Sequence, residues 1–162
     1  MSQILSFYYQ KFPFVFEYFN LLRHLFLTVQ FILVLIFIVN SRSWKNLVFY
    51  ILIFLTAFTI ASFIKNLFPY PRPTGLSYDS FPSHHTTISS ALSLALIWQN
   101  FKFGLPSLIL TFLIALFSFL SLRHWPIDIF FGFIFGFLVF LMIYKILNFF
   151  DWFDLKTKQN KT

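Results

Sequence analysis

The sequence predicts an all-α membrane protein, a bundle of about five transmembrane helices with an amphipathic or interfacial helix at its N terminus. The chain of 162 residues is 59% hydrophobic and only 10% charged, and 28 of its residues are phenylalanine. Long runs without a charged residue recur along it, as in helical membrane proteins. So few polar residues could not cover the core of a water-soluble fold, and the length suits a single domain. The absence of cysteine excludes disulfides and thiolate chemistry.

Residues 1–22 are rich in aromatic side chains but contain a narrow polar stripe. Its members recur at spacings of three and four, which places them on one side of a helix: Gln3, Ser6, Gln10, Pro13, Glu17 and Asn20. Pro13 should kink or split that helix. We interpret the segment as amphipathic and lying in the membrane interface. The alternative is a short, bent transmembrane helix that packs its stripe on neighbours. The segment lacks the basic start and cleavage site of a signal peptide, so we treat residues 1–162 as mature.

Five apolar runs follow within a predicted transmembrane domain of residues 23–150. They are Leu25–Val39, Leu47–Ile64, Thr86–Trp98, Leu105–Leu122 and Ile129–Tyr144. Several are shorter than the about 20 residues that cross a bilayer comfortably, which local thinning can accommodate. The third run is rich in serine and alanine, so we expect it inside the bundle, where backbones approach closely. Gly132 and Gly136 form a G-x-x-x-G pattern, which we assign to packing within the chain rather than to dimerisation.

Basic residues indicate the orientation of the five predicted spans. Alternation puts seven on one side (Arg42, Lys45, Lys102, Lys145, Lys156, Lys158 and Lys161) and five on the other (Lys11, Arg23, Lys65, Arg72 and Arg123). The richer side, with a basic tail of residues 151–162, is predicted to be cytoplasmic. The opposite face of this multi-pass plasma (inner) membrane protein would then look onto the periplasm or cell exterior. Because the basic residues are dispersed between apolar runs, the net charge of +7 predicts no nucleic-acid partner.

The first of three polar clusters follows the second span. Six residues separate Lys65 from Arg72, and the prolines at positions 69, 71 and 73 favour a stiff, extended backbone there. Such a backbone can fix the Arg72 guanidinium, and a fixed guanidinium beside a lysine suits a phosphate. Taken alone, the pattern is better explained by two interfacial cations and a proline turn.

The second cluster, Pro82-Ser83-His84-His85, opens the third span. Ser83 is a natural N-cap, and the amide groups of the following turn favour an anion. Either histidine could give a proton to a leaving oxygen, because imidazole titrates near neutral pH. A polar helix cap with two solvated histidines explains this cluster equally well when it is considered alone.

The third cluster, His124-Trp125-Pro126-Ile127-Asp128, opens the last span. A hydrogen bond between Asp128 and one ring nitrogen of His124 would fix the tautomer and leave the other nitrogen as a nucleophile. An ionised acid in the first turn of an apolar span is costly without such a partner. The helix dipole also favours an acid there, so Asp128 alone has a structural explanation as well.

A zinc site is the alternative use of these side chains. Its ligands would be His84, His85, His124 and Asp128. However, adjacent histidines on a helix diverge by about 100°, and the charges of Lys65 and Arg72 would repel a cation. We therefore predict neither a metal nor another cofactor.

Together, the clusters resemble the three signature motifs of the type-2 phosphatidic acid phosphatase superfamily. The matching elements, in order, are Lys65-x6-Arg72-Pro73, Pro82-Ser83-x-His85 and His124-x3-Asp128. The resemblance covers roughly residues 47–145. That family consists of helical, metal-independent phosphatases and also includes vanadium haloperoxidases. Two positions depart from its pattern: His84 stands in place of a glycine, and Ser118, six residues before the histidine, stands in place of an arginine.

The resemblance implies a role for each residue of the motifs. His124 would attack phosphorus to form a phosphohistidine, Asp128 would orient it, and His85 would protonate the leaving oxygen. A second group would hold the phosphoryl oxygens: Lys65, Arg72, the amides of Ser83 and His84, and Arg123 in place of the missing arginine.

The resemblance also implies a substrate class, a phosphorylated membrane lipid. Members of that class are undecaprenyl pyrophosphate, lipid A phosphates, and phosphatidylglycerol phosphate or phosphatidic acid. Two alternatives use the same residues. One is a catalytically silent membrane protein that binds a lipid phosphate, and the other is a phosphotransferase that passes the phosphate to another molecule.

Overall fold

The computed structural model describes residues 2–150, which form six helices. They are α1 (Ser2–Lys11), α2 (Pro13–Ser41), α3 (Trp44–Leu67), α4 (His84–Gln99), α5 (Phe101–Leu120) and α6 (Pro126–Phe149). No strand occurs in this part of the chain, so the all-α prediction is confirmed. The predicted basic tail, residues 151–162, lies outside the described residues, and with it three of the seven cations predicted to be cytoplasmic, Lys156, Lys158 and Lys161.

Four of the helices, α2, α3, α5 and α6, are long and apolar enough to cross a membrane. Each includes most or all of one predicted span. Large apolar side chains on their outer surfaces are exposed, among them Leu25, Phe63, Phe112 and Phe130. Such surfaces suit lipid rather than water, so the prediction of a membrane protein is supported. The remaining predicted span, Thr86–Trp98, lies in α4, whose 16 residues rise only about 24 Å.

Helix α4 lies at the centre of the bundle and contacts α2, α3, α5 and α6. The small residues of its middle are buried, as their composition predicted: Ser89, Ser90, Ala91, Ser93 and Ala95. Small side chains let neighbouring backbones approach closely, and their hydroxyls can donate to the preceding turn. A short, central helix of this kind can position its N-terminal residues relative to all its neighbours.

The G-x-x-x-G pattern packs α6 against α4. A Cβ atom on Gly136 would lie 1.8 Å from Ser90 Oγ and 2.6 Å from the carbonyl oxygen of Thr87. One on Gly132 would lie 2.9 Å from Thr86 Cβ. Any side chain at these positions would push the two helices apart. The predicted use of the glycines within the chain is therefore confirmed, and their contact brings the start of α6 beside the start of α4.

Gln30 connects α2 to the same core. Its Oε1 accepts a hydrogen bond from Ser89 Oγ over 2.6 Å, and its Nε2 donates to Ser107 Oγ over 2.8 Å. A buried amide in a membrane bundle needs such partners, because lipid offers none. Since Ser89 belongs to α4 and Ser107 to α5, one side chain joins three helices.

Pro13 divides the N-terminal segment, as the sequence predicted. Helix α1 ends at Lys11, and α2 begins at Pro13 and continues without a break to Ser41. Residues 13–22, which sequence analysis separated from the first span, therefore belong to the same helix as that span. The polar stripe makes contacts within the protein, since Glu17 accepts hydrogen bonds from both Tyr9 and Arg123.

Two loops meet at one end of the bundle. Residues 68–83 join α3 to α4, and residues 121–125 join α5 to α6. Gly75, at φ +72°, closes a turn in the first loop, where its amide donates to the carbonyl oxygen of Arg72 over 2.8 Å. The indole of Trp125 in the second loop donates to the carbonyl oxygen of Pro71 over 2.9 Å. This contact fixes the two loops to each other.

Candidate active site

The three polar clusters lie at the end of the bundle where α3 ends and α4 and α6 begin. The Ser83 amide donates to the carbonyl oxygen of Asp128 over 3.1 Å, which joins the second cluster to the third. Lys65 donates to the carbonyl oxygens of Asp79 and Ser80. His124 contacts the same Ser80 carbonyl, which joins the first cluster to the third. Ser80 is therefore shared by two of the clusters.

The imidazole of His124 is fixed by the backbone. Its Nδ1 lies 2.8 Å from the carbonyl oxygen of Ser80. A carbonyl oxygen can only accept a hydrogen bond, so Nδ1 carries the proton and Nε2 keeps its lone pair in the neutral ring. Within residues 2–150, no side chain or backbone group hydrogen-bonds to that Nε2. The ring therefore has a defined tautomer, and its Nε2 has a free lone pair that can act as a nucleophile.

Asp128 does not make the hydrogen bond to His124 that sequence analysis predicted. Its nearest carboxylate oxygen is 3.8 Å from His124 Nδ1, beyond hydrogen-bond distance. That oxygen instead accepts hydrogen bonds from Ser80 Oγ and from the Trp125 amide, the latter over 2.7 Å. The predicted geometry is wrong because the ring nitrogen contacts the Ser80 carbonyl instead, while the acid contacts the hydroxyl of the same residue. Asp128 orients His124 indirectly, by fixing the residue whose carbonyl the imidazole contacts.

Burial governs the protonation of His124, whose exposed fraction is 2%. It lowers the pKa of His124 to about 4, a shift that the Asp128 carboxylate opposes and that the positive charges of Lys65 and Arg23 reinforce. His124 is therefore neutral near pH 7, which is the form that can act as a nucleophile. Both cations lie within electrostatic range of its ring.

The cations of the first cluster are engaged by Asp79. Arg72 Nη2 lies 2.7 Å from Asp79 Oδ2 in an ion pair, and Lys65 donates to the Asp79 backbone carbonyl. Partial burial raises the pKa of Asp79, but a hydrogen bond from Ser77 and the charges of Arg72 and Lys65 outweigh it and lower the pKa below its ordinary value. Asp79 is thus an internal anion at Arg72, with which a phosphate would compete.

Ser83 stands at the N-cap position of α4, but its side chain makes no capping hydrogen bond. Its Oγ lies 3.0 Å from Thr86 Oγ1, and its amide donates to Asp128. The expectation that the Ser83 amide faces a phosphate is therefore corrected. By helix geometry, the first-turn amides without an intrahelical acceptor are those of His84, His85 and Thr86, a set that begins one residue later than predicted.

His84 points toward α3. Its Nε2 lies 3.1 Å from Ser62 Oγ, and its ring stacks on Phe58 with centroids 5.3 Å apart. It faces an open cavity of about 430 Å³ beside the first loop, lined by Ser62, Lys65, Asn66, Pro69, Tyr78, Asp79 and His84. This side of α4 therefore offers space next to Lys65.

His85 points instead toward α2, as expected for adjacent residues of one helix. Its ring meets the ring of His24 edge-on, with centroids 4.9 Å apart. Its Nδ1 is buried and makes no hydrogen bond within the described residues. Arg23 and His124 are among its electrostatic neighbours. A buried ring nitrogen without a partner is uncommon, and here it lies within electrostatic range of the nucleophilic candidate.

Arg123 is committed to another partner. Its Nη2 lies 2.9 Å from Glu17 Oε1 in an ion pair that connects the α5–α6 loop to α2. It lines a small pocket of about 40 Å³ with Arg72 and Tyr9. Ser118, where the resembled family has its arginine, is buried in α5, and its Oγ donates to the carbonyl oxygen of Ile114 over 2.7 Å. Neither position leaves a free guanidinium beside His124.

Four residues of this site were not predicted from the sequence: Ser80, Asp79, Arg23 and His24. The first two lie in a loop whose backbone course no periodic pattern predicts. Arg23 could have been found, because it continues the polar stripe of Glu17 and Asn20 at the same spacing of three.

The site combines a neutral nucleophilic imidazole, a second imidazole within electrostatic range of it and several cations, a set suited to phosphoryl transfer. Within residues 2–150, no group of three or more His, Asp or Glu side chains is arranged to hold a metal ion. Comparison with protein-family models, with curated proteins and with solved structures finds no match to this chain.

Proposed function

We propose that the protein is a membrane lipid phosphatase that acts through a phosphohistidine at His124. The observation that carries this proposal is the Nδ1–H tautomer imposed by the Ser80 carbonyl, which leaves Nε2 unbonded within range of Lys65 and Arg23. A nitrogen lone pair beside positive charge is suited to attack a phosphoryl group. The substrate is a phosphate monoester or diphosphate of a lipid, of the undecaprenyl pyrophosphate, lipid A or phosphatidylglycerol phosphate class.

The reaction proceeds in two displacements. The Nε2 lone pair of His124 forms a bond to phosphorus while the bond from phosphorus to the leaving oxygen breaks. His85, which takes up a proton when the phosphate anion binds close to it, gives that proton to the leaving oxygen. Water then attacks the phosphohistidine, the N–P bond breaks, and His85 takes a proton from the water. Inorganic phosphate leaves the site, His124 is neutral again, and His85 again carries the proton that it donated. Lys65, Arg72 and the first-turn amides of α4 stabilise the phosphoryl oxygens.

The membrane arrangement that fits this function has five spans, with α4 as the short fifth one and the start of the chain at the interface. Because α4 rises only about 24 Å, less than the about 30 Å of hydrocarbon, at least one of its ends lies below the lipid headgroups. The loop of residues 68–83 and the N terminus of α4 form the end at which a lipid phosphate would bind. The site faces the periplasm or cell exterior of the plasma (inner) membrane, the side with fewer cations. Exposed apolar side chains around the bundle favour lateral entry of a lipid.

The test is phosphate release by the purified protein in detergent from a panel of undecaprenyl pyrophosphate, lipid A, phosphatidylglycerol phosphate and phosphatidic acid. We expect release with at least one of them, unaffected by EDTA and abolished by His124→Gln. Lys65→Gln should lower turnover by about 10²–10³-fold, whereas Lys45→Gln, at the opposite end of α3, should not. No release from any substrate, or full activity of His124→Gln, would contradict the proposal. The product identifies the reaction: free phosphate indicates hydrolysis, and a phosphorylated acceptor indicates transfer.

One observation favours a second candidate, a silent protein that only binds a lipid phosphate. Asp79 already engages both Lys65 and Arg72, so the site is partly neutralised before any substrate enters. That candidate predicts lipid-phosphate binding without release, together with cellular function that survives His124→Ala.

A further inference from the structure

Arg23 is a buried cation without a counter-ion. It is 6% exposed, and its Nε is buried with no hydrogen-bond partner. Its Nη2 donates to Asn20 Oδ1 over 2.6 Å and contacts His24 Nε2 at 3.2 Å, both neutral groups of its own helix. No ion pair of the described residues includes it. Since an uncompensated charge inside a membrane bundle is costly and is a functional-site hypothesis by default, the guanidinium calls for an anion from outside the chain.

The nearest candidate within the chain, Glu17, is already saturated. Its carboxylate accepts hydrogen bonds from Tyr9 over 2.7 Å, from Asn20 over 3.1 Å and from Arg123 over 2.9 Å. Asn20 in turn accepts from Arg23. Glu17 therefore neutralises Arg123 and reaches Arg23 only through a neutral amide. Of the two arginines near this carboxylate, Arg123 is paired and Arg23 is left free.

Arg23 lies on a face of α2 that packs against α5 around Phe117. Phe19, Arg23 and Phe26 share one face of α2, being four and three residues apart. The Phe117 ring lies against that face, with centroids 5.9 Å from Phe19 and 5.5 Å from Phe26. Ser118 is the next residue of α5 and is buried. The arginine of α2 thus belongs to the same region of α2–α5 packing as the position from which the resembled family would supply one.

Arg23 also lies within range of the reacting groups. Its Nη2 contacts His24 Nε2 at 3.2 Å, and the His24 ring meets the His85 ring with centroids 4.9 Å apart. Its charge also acts on the His124 ring and on the Lys65 ammonium. Lys65 and Arg72 approach the site from α3 and the first loop, whereas Arg23 approaches from α2. Cations on different sides of one phosphoryl group can contact different equatorial oxygens.

We propose that Arg23 binds a phosphoryl oxygen of the substrate, so that α2 supplies the guanidinium that α5 lacks at Ser118. This inference rests on the proposed phosphatase function. It assigns Glu17 and Asn20 a positioning role. Glu17 pairs with Arg123 and so keeps that arginine from the phosphate, and Asn20 accepts from Arg23 and so orients its guanidinium. A planar guanidinium can make two parallel hydrogen bonds to a phosphoryl group, and removing one such donor typically lowers the rate about 10²–10³-fold.

The test uses Arg23→Met, which keeps the length of the side chain and removes its charge. Arg42→Met, at the other end of α2, is the matched control. Two quantities are measured in detergent: the dissociation constant of inorganic phosphate, and kcat/KM for the lipid phosphate that the wild type hydrolyses. We expect Arg23→Met to weaken phosphate binding at least tenfold and to lower kcat/KM about 10²–10³-fold. Arg23→Lys should retain part of both, and Arg42→Met should change neither.

Two further readouts separate binding from a structural role. Removing an unpaired buried charge should leave the thermal midpoint of the phosphate-free protein unchanged or higher, whereas loss of a structural residue would lower it. The double variant Arg23→Met/Ser118→Arg should recover at least tenfold of the lost kcat/KM, because the new guanidinium enters the vacated space from α5. Phosphate affinity within twofold of the wild type in Arg23→Met, or a lower midpoint with unchanged affinity, would overturn the inference.

The outcomes also distinguish this inference from the proposed function. A wild type that hydrolyses no lipid phosphate but binds inorganic phosphate in an Arg23-dependent manner would refute the phosphatase and leave the phosphate site. If Arg23→Met hydrolyses lipid phosphates as well as the wild type does, the role of Arg23 is refuted and the phosphatase function stands.

Discussion

His124 Nδ1 lies 2.8 Å from the carbonyl oxygen of Ser80 but 3.8 Å from the nearest carboxylate oxygen of Asp128. The backbone, rather than the acid, therefore selects the tautomer of the imidazole. Asp128 acts one step away, since its carboxylate accepts from the Ser80 hydroxyl and from the Trp125 amide. This arrangement separates two functions that one aspartate usually combines, orientation of the ring and electrostatic support of its charge.

The first prediction concerns this separation. Where an aspartate directly orients a catalytic histidine, its replacement by asparagine lowers turnover about 10⁴-fold. Here Asp128→Asn should lower kcat/KM for lipid phosphate by at most about 10²-fold, the usual effect of an outer partner. His124→Gln should abolish turnover and the acid-labile phosphoenzyme that radiolabelled substrate would form. Equal losses in the two variants would show that Asp128 contacts the reacting imidazole directly.

The fold could be predicted from the sequence to a large extent because hydropathy and burial in a membrane bundle follow from side-chain type. The serines and alanines of Thr86–Trp98 indicated a central helix, and α4 is central. Pro13 indicated a break, and the break occurs there. The start of α2 was less accessible, because the polar stripe of residues 1–22 also suits an interfacial segment.

The candidate site was predictable only where chemistry belongs to a side chain. His85, His124, Lys65 and Arg72 were identified because imidazole, ammonium and guanidinium groups are rare in this chain. The Ser80 carbonyl belongs to the backbone, and its direction depends on how the loop of residues 68–83 folds. In the sequence, Arg23 counted only as one of the five cations on the predicted outer side. Its burial depends on the packing of α2 against α5, which the sequence pattern does not specify.

The second prediction concerns pH. Burial lowers the pKa of His124 to about 4 from its ordinary value of 6.5. The neutral, nucleophilic form therefore persists as the pH falls through 6.5 and is lost only as it falls through about 4. The acid limb of kcat/KM, which reports the free enzyme, should lie near pH 4. An acid limb near pH 6.5 would contradict the burial of this imidazole in the working enzyme.

The same shift has a consequence for folding. Between about pH 6.5 and pH 4, the unfolded chain binds a proton at His124 that the folded chain does not. By linkage, stability then falls as the pH falls through this range. The thermal midpoint of the wild type in detergent should decrease from pH 6.5 to pH 4 more than that of His124→Gln, which has no titrating ring at this position.

The third prediction concerns the internal anion. Asp79→Asn removes the carboxylate that pairs with Arg72 over 2.7 Å, so inorganic phosphate should no longer have to displace it. We expect the inhibition constant of phosphate to fall about two- to fivefold, in keeping with the modest energy of an exposed ion pair. The gain should disappear in the double variant Arg72→Gln/Asp79→Asn. Weaker phosphate inhibition in Asp79→Asn would indicate that the pair instead maintains the loop.

The fourth prediction concerns the contact that places α6 on α4. Gly136→Ala should destabilise the protein by about 1–3 kcal/mol. The new Cβ would collide with the Ser90 hydroxyl and with the Thr87 carbonyl, and the carbonyl belongs to the backbone and cannot rotate away. Leu138→Ala, on the exposed side of the same helix, is the control and should change little. The measurement is the thermal midpoint in detergent. Unchanged stability of Gly136→Ala would mean that the helices are farther apart than described.

The last prediction concerns the side of the membrane on which the site lies. The chain contains no cysteine, so single cysteines can report topology without a background. Leu76 lies in the loop that carries Arg72 and is 65% exposed. Lys102 is exposed at the start of α5, at the opposite end of α4. The predicted orientation places Leu76 outside and Lys102 in the cytoplasm, because more cations lie on the side of Lys102.

A membrane-impermeant maleimide should therefore label Leu76→Cys in intact cells and Lys102→Cys only after permeabilisation. The contrast tests the orientation independently of catalysis, since Leu76 and Lys102 have no proposed role in the chemistry. The reverse pattern would put the site in the cytoplasm and restrict its substrates to lipid phosphates of the inner leaflet. Labelling of both cysteines in intact cells would contradict a bundle that crosses the membrane between α4's two ends, because those ends would then share one side.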